Sequence, residues 1–83
     1  MKYYSKTDLE KLARRIWWGK FPRLGDQKTA YAPYLGVNMR KADFAIKTYQ
    51  WQRVGEFEVY IESHAKGGFK GTISARRALK EVK

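Results

Sequence analysis

The sequence predicts an α+β fold in a single small domain that spans residues 1–83. Three observations predict it. Apolar residues recur at helical spacing near the N-terminus, they alternate with polar residues over 56–63, and they return to helical spacing over 74–83. The predicted order is therefore an N-terminal helix, a middle segment that is helix or strand, an antiparallel β-hairpin and a C-terminal helix.

The N-terminal helix has a start, an apolar face and an end. Thr7 and Glu10 have the spacing of a capping box, and Asp8 adds negative charge to the first turn. Gly19 and Pro22 are stop residues. The predicted buried face consists of residues spaced three and four apart: Leu9, Leu12, Ala13, Ile16 and Trp17.

Two adjacent tryptophans end this helix, and they cannot both face the core. At about 100° per residue, Trp17 falls at the edge of the apolar face and Trp18 falls on the opposite side. Two alternatives follow for Trp18. Either its indole is exposed and can stack on a base while the neighbouring cations hold phosphates, or residues 21–22 or another element cover it. Its helical neighbours there are Lys11, Arg14 and Arg15.

The middle segment, 28–50, has a helical interpretation. Ala32, Leu35, Gly36, Val37 and Asn38 resemble the helix–turn–helix pattern, although Pro33 interrupts the first helix of such a unit. The resemblance implies a winged-helix DNA-binding fold with the later hairpin as the wing, and a second helix that begins at Asn38 and covers 38–50. The inward residues of that helix would be Met39, Ala42, Ile46 and Tyr49, and its groove-facing cations would be Arg40, Lys41 and Lys47.

The same segment also has a strand interpretation, in which Phe44, Ile46 and Thr48 share one face. The chain then resembles the α-β-β-β-α layout of double-stranded-RNA-binding domains. Residues 71–80, GTISARRALK, are similar to the basic start of the second helix in that family. The sequence leaves helix and strand open for 28–50.

The hairpin and the closing helix complete the prediction. Residues 49–54 and 56–63 flank a turn at Gly55, and 69–73 is a candidate third strand. Ser74 is the expected N-cap of a helix over 74–83, which would expose Arg76, Arg77 and Lys80.

Positive charge is the strongest global feature of the composition. The chain carries 18 Lys and Arg against 8 Asp and Glu, a formal net charge of +10. The excess is divided equally between 1–23 and 64–83, because 24–63 carries as many acids as bases. Such a charge attracts polyanions by counterion release and steering, which favours nucleic acid as the partner.

Catalytic residues are sparse. The chain has one histidine, His64, and no cysteine, so neither a thiol nucleophile nor a two-histidine metal site is possible. A lone histidine among cations resembles small toxin ribonucleases of the HicA kind, which implies a metal-free RNA cleavage. Glu56, Glu58 and Glu62 are expected to form a solvated strand surface rather than a metal site.

The sequence therefore predicts a cytoplasmic, non-enzymatic nucleic-acid-binding protein without cofactor, metal or membrane segment. Duplex DNA is favoured over RNA, and small basic proteins of this kind serve as regulators in phages and mobile elements. Two alternatives stay open: an inhibitor or adaptor that binds an acidic host protein, such as RNA polymerase or a defence nuclease, and the His64 ribonuclease. The expected nucleic-acid contacts are Lys11, Arg14, Arg15, Trp18, Lys20, Arg40, Lys41, Lys47, Arg53, Arg76, Arg77 and Lys80.

Overall fold

A computed structural model describes residues 2–37, 42–44, 49–63 and 71–78. In this part of the chain the fold is α+β, with one α-helix and a five-stranded antiparallel sheet. The elements are β1 (Lys2–Tyr4), α1 (Lys6–Trp18), β2 (Arg23–Leu24), β3 (Gln27–Tyr31), a 3₁₀ turn (Ala32–Leu35), β4 (Ala42–Phe44), β5 (Gln52–Val54), β6 (Phe57–Ser63) and β7 (Gly71–Arg77). The large sheet has the order β2-β3-β7-β6-β5, and β1 pairs with β4 in parallel.

The core lies between α1 and one face of the large sheet, where the helix packs across β3, β7, β6 and β5. Burying one large apolar side chain in this core stabilises the fold by about 1.5–3 kcal/mol. The largest buried side chains come from both layers: Leu9 and Ile16 from the helix, and Phe57, Val59, Ile61 and Ile73 from the sheet.

The strands alternate between two faces of the sheet. On β6, Phe57, Val59 and Ile61 are buried against the helix, so Glu58, Tyr60 and Glu62 point the other way. We call the surface turned away from α1 the far face. The strand register places further side chains on this face: Arg53 from β5 and Thr72, Ser74 and Arg76 from β7, which lie opposite these three, and Gln27, Thr29 and Tyr31 from β3, which lie opposite the β7 residues.

The N-terminal helix is confirmed, but its predicted cap is wrong. Ser5 is the N-cap: its hydroxyl accepts a hydrogen bond from the backbone N–H of Asp8, and the Asp8 carboxylate accepts one from the N–H of Ser5. The sequence contains two overlapping pairs with capping-box spacing, and the helix uses the earlier one. Thr7 therefore lies inside the first turn. The predicted end at Gly19 is confirmed.

The helical interpretation of 28–50 is wrong where the structure describes it. Gln27–Tyr31 is a strand that pairs with β7, and Ala42–Phe44 is a strand that pairs with β1. Only Ala32–Leu35 is helical, as one 3₁₀ turn that ends at Gly36 with φ of 73°. Proline at the start of that turn is compatible with it, since its missing N–H is not needed there. Residues 38–41 and 45–48, with the predicted cap Asn38, lie outside the described residues.

The predicted hairpin is confirmed. Gln52–Val54 pairs antiparallel with Phe57–Ser63, and Val54 lies opposite Phe57 across the turn. Gly55 in that turn has φ of 64°, a conformation that glycine adopts without a Cβ clash.

The predicted C-terminal helix is wrong over 74–77. These residues continue β7, which is the central strand of the sheet and pairs with β3 on one side and β6 on the other. Ile73 and Ala75 fit an alternating pattern as well as a helical one. Pairing with two neighbouring strands also satisfies the backbone N–H and C=O groups on both edges of β7. Ala78, which follows β7, is not helical either, and the remaining residues of the predicted helix, 79–83, lie outside the described part of the chain.

Candidate nucleic-acid interface

The outer surface of α1 carries four of the side chains expected to contact nucleic acid. Because Leu9, Ala13 and Ile16 are buried against the sheet, the opposite side of the helix faces solvent. We call that side the α1 basic face. It extends over eight residues, 11–18, which is about 10 Å along the helix axis. Its members are all exposed: Lys11, Arg14, Arg15 and Trp18.

The cations of this face differ in their partners. Arg14 donates to the Glu10 carboxylate at 2.7 Å, one turn earlier on the helix, and its charge is partly compensated. Within the described part of the chain, no carboxylate pairs with Lys11, Arg15 or Lys20, the exposed lysine that follows the helix. These three cations are therefore the ones available to an anionic ligand.

Trp18 is exposed, which decides between the two alternatives for it. Its relative exposure is 70%, whereas Trp17 and Phe21 pack against the core. Phe21 therefore does not cover the Trp18 ring. The edge of the Phe21 ring lies against Gly19 instead. A Cβ added to Gly19 would be only 2.8 Å from a ring carbon of Phe21.

A lysine from the sheet fixes the helix end that carries Trp18. The ammonium of Lys28 on β3 donates to the carbonyl oxygens of Trp17 and Gly19, at 2.9 Å each. Carbonyls at a helix C-terminus have no partner within the helix, and the helix dipole favours a cation there. The backbone on either side of Trp18 is thus tied to the sheet, so the indole projects from a fixed point of the surface.

Arg76 and Arg53 lie on the far face and not beside the α1 basic face. The Arg76 guanidinium stacks over the Trp51 ring and donates to Glu58 at 2.9 Å. Arg53 is exposed, with its Nε close to the Gly55 carbonyl. Glu58 and Glu62 balance these two cations, so the described part of the far face has no excess of positive charge.

Arg77 is separate from both groups. It ends β7 on the helix side of the sheet, opposite Phe57, and its guanidinium lies 5.9 Å from that ring. The structure thus divides the described candidates among the α1 basic face with Lys20, the far face, and the end of β7. The other sequence-predicted residues lie outside the described residues: Arg40, Lys41, Lys47, Lys80 and His64.

Among the described residues, no group of three or more His, Cys, Asp or Glu side chains is placed to hold a metal ion. No helix in that part of the chain has the length and apolar character needed to span a bilayer.

Sequence reasoning missed two residues that determine where candidate side chains lie. Lys28 supports the helix end through a pairing of β3 with β7 that no local pattern indicates. The Trp51 ring, just before β5, lies under the guanidinium of Arg76 on β7, with β6 between the two strands. The only sequence cue for this contact was the alternation of aromatic and polar residues over 49–53.

Comparisons of the chain with protein-family models, with curated proteins and with solved structures gave no match.

Proposed function

We propose that this protein is a non-catalytic nucleic-acid-binding protein that contacts backbone phosphates with the α1 basic face and Lys20. One observation carries the proposal. Lys11, Arg15 and Lys20 are exposed around an exposed indole, and no described carboxylate pairs with them. The far face is a poorer candidate, since its described charges cancel.

The length of the α1 basic face determines how tightly it is expected to bind nucleic acid. About 10 Å of helix matches roughly three phosphate steps along one strand of a duplex. Three to four phosphate contacts predict that log Kobs falls with log salt with a slope of roughly −3, on duplex or single strand. Binding through so few contacts is moderate in affinity and depends strongly on ionic strength.

The preference for duplex DNA depended on a recognition helix over 38–50. Ala42–Phe44 forms a strand, which leaves no continuous helix there to enter a major groove. We therefore base the proposed contact on phosphates, which duplex DNA, single-stranded DNA and RNA all present. Binding rather than catalysis is proposed because one histidine and no cysteine offer few groups for acid–base or nucleophilic chemistry.

A salt titration tests the proposal. Affinity of the purified protein for labelled duplex DNA, single-stranded DNA and RNA would be measured by anisotropy between about 50 and 200 mM salt. The doubly substituted variant Lys11→Ala, Arg15→Ala should flatten the slope by about 1.5, because each lost phosphate contact removes 0.7–0.9. Both side chains are exposed, so the fold should tolerate the changes.

The matched control is Arg53→Ala, which also removes an exposed cation but on the far face. It should leave the slope unchanged. If the wild-type protein binds none of the three nucleic acids at the lowest salt, the proposed function is wrong. Equal slopes for the wild-type protein and the double variant would show that binding occurs elsewhere on the molecule.

A further inference from the structure

The three tryptophans of the chain have different surroundings. Trp17 lies against Phe57, with ring centroids 6.3 Å apart, and under the Arg23 guanidinium. Trp51 lies against Tyr60 at 5.4 Å and under Arg76 at 3.9 Å. Among the described residues, no ring and no guanidinium lies against Trp18. Its π-faces are therefore available to a ligand.

The fold sets the backbone position from which this indole projects. Trp18 is the last residue of α1, and the backbone carbonyls on both sides of it are held by Lys28. On the helix surface, Arg14 and Arg15 lie four and three residues before it, a spacing at which side chains are neighbours. An exposed aromatic face beside cations is the arrangement with which proteins bind single-stranded nucleic acids.

We infer that the α1 basic face binds nucleic acid with unpaired bases, and that Trp18 stacks on one base while Lys11, Arg15 and Lys20 contact the flanking phosphates. This inference rests on the proposed function and names its substrate class. In a duplex each base is already covered by its neighbours, so an indole gains a stacking partner only after a base step is unstacked, which costs a few kcal/mol. In a single strand that cost is smaller, and stacking tolerates any base sequence.

The test compares one labelled single-stranded DNA of mixed sequence with the duplex that it forms with its complement. Trp18→Ala should weaken binding to the single strand by roughly 5- to 150-fold, the range that corresponds to the loss of one base–aromatic stack. On the duplex the same variant should change affinity by about twofold at most, as expected where phosphate contacts alone carry binding. Trp18→Phe keeps an aromatic face and should recover most of the loss on the single strand.

Leu24→Ala is the matched control, because Leu24 is a large apolar residue as exposed as Trp18, at 79%, and its pairing with Gln27 places it on the far face. It should bind both probes like the wild-type protein. Trp18 is mostly exposed and alanine favours helix, so Trp18→Ala should fold; thermal unfolding followed by circular dichroism checks this.

The outcomes separate this inference from the proposed function. If Trp18→Ala loses affinity equally on single strand and duplex, or on neither, while Lys11→Ala with Arg15→Ala still flattens the salt slope, the protein binds phosphates but not unpaired bases. That result overturns the inference and leaves the proposed function standing. If the wild-type protein binds neither probe, both are wrong. A fluorescence decrease on oligonucleotide binding that is absent in Trp18→Phe supports the stack directly.

Discussion

The guanidinium carbon of Arg76 lies 3.9 Å from the centre of the Trp51 ring. The same side chain donates from Nε to the Glu58 carboxylate at 2.9 Å. Arg76 lies on β7, Glu58 lies on β6, and Trp51 immediately precedes β5. The contact therefore links three parts of the far face. Arg76 is only about a quarter exposed, at 28%. The structure therefore assigns this arginine a stabilising role within the sheet.

Replacing Arg76 by alanine should destabilise the fold by about 1–2 kcal/mol, since a partly desolvated cation–π contact contributes up to about 2 and a single ion pair less than 1. Urea unfolding measures the change. Arg76→Lys should recover only part of it, because an ammonium does not stack as a plane on the indole. Arg53→Ala, an exposed arginine on the same face, serves as the control and should change stability by less than about 0.5 kcal/mol. Equal costs for the two variants would contradict the stabilising role.

The same contact predicts that Arg76 contributes little to nucleic-acid binding. With the protein fully folded, Arg76→Ala should leave the salt slope of binding unchanged, whereas Arg15→Ala should reduce it by about 0.7–0.9. The physical reason is that Arg76 is already paired with Glu58, while Arg15 has no carboxylate partner among the described residues. Anisotropy titrations at several salt concentrations compare the two variants. A reduced slope for Arg76→Ala would show that ligand replaces Glu58.

The position of the helix cap gives a prediction independent of function. Ser5→Ala should lower the free energy of unfolding by about 1 kcal/mol, because it removes the side chain that accepts from the Asp8 N–H. Thr7→Ala should be neutral or slightly stabilising, since Thr7 is an exposed residue within the first turn and alanine has the higher helix propensity. Thermal or urea unfolding of the two variants would show which serves as the cap. A larger loss of stability for Thr7→Ala than for Ser5→Ala would show that Thr7 is the N-cap.

Local patterns explain which parts of the fold were predictable. The helix face from Leu9 to Ile16 and the alternation over Phe57 to Ile61 are long and regular, and both elements formed as predicted. The exposure of Trp18 also followed from local geometry, because the angle between neighbouring residues on a helix is fixed.

The elements that were predicted wrongly are those whose structure depends on strands distant in the sequence. Residues 74–77 are compatible with a helix by spacing, and they form a strand because β3 and β6 flank them on both sides. The same pairing brings Gln27–Tyr31 into the sheet. The pairing of β3 with β7 joins residues more than forty positions apart, such as Gln27 and Arg76, so no short sequence window contains both partners. This is why Arg76 was expected on a helix flank beside phosphates and is found against Trp51 instead.

Lys28 provides a last prediction, because it joins the sheet to the end of α1 that carries Trp18. Lys28→Met keeps the aliphatic stem and removes the ammonium that donates to the carbonyls of Trp17 and Gly19. Hydrogen bonds from a charged donor contribute about 1.5–3 kcal/mol, so a loss of about 2 kcal/mol in urea unfolding is expected. Lys20→Met removes an exposed ammonium nearby and should leave stability within about 0.5 kcal/mol of the wild-type value. If Lys28→Met were equally neutral, water would satisfy those carbonyls as well as the lysine does, and the fixed position of Trp18 would need another cause.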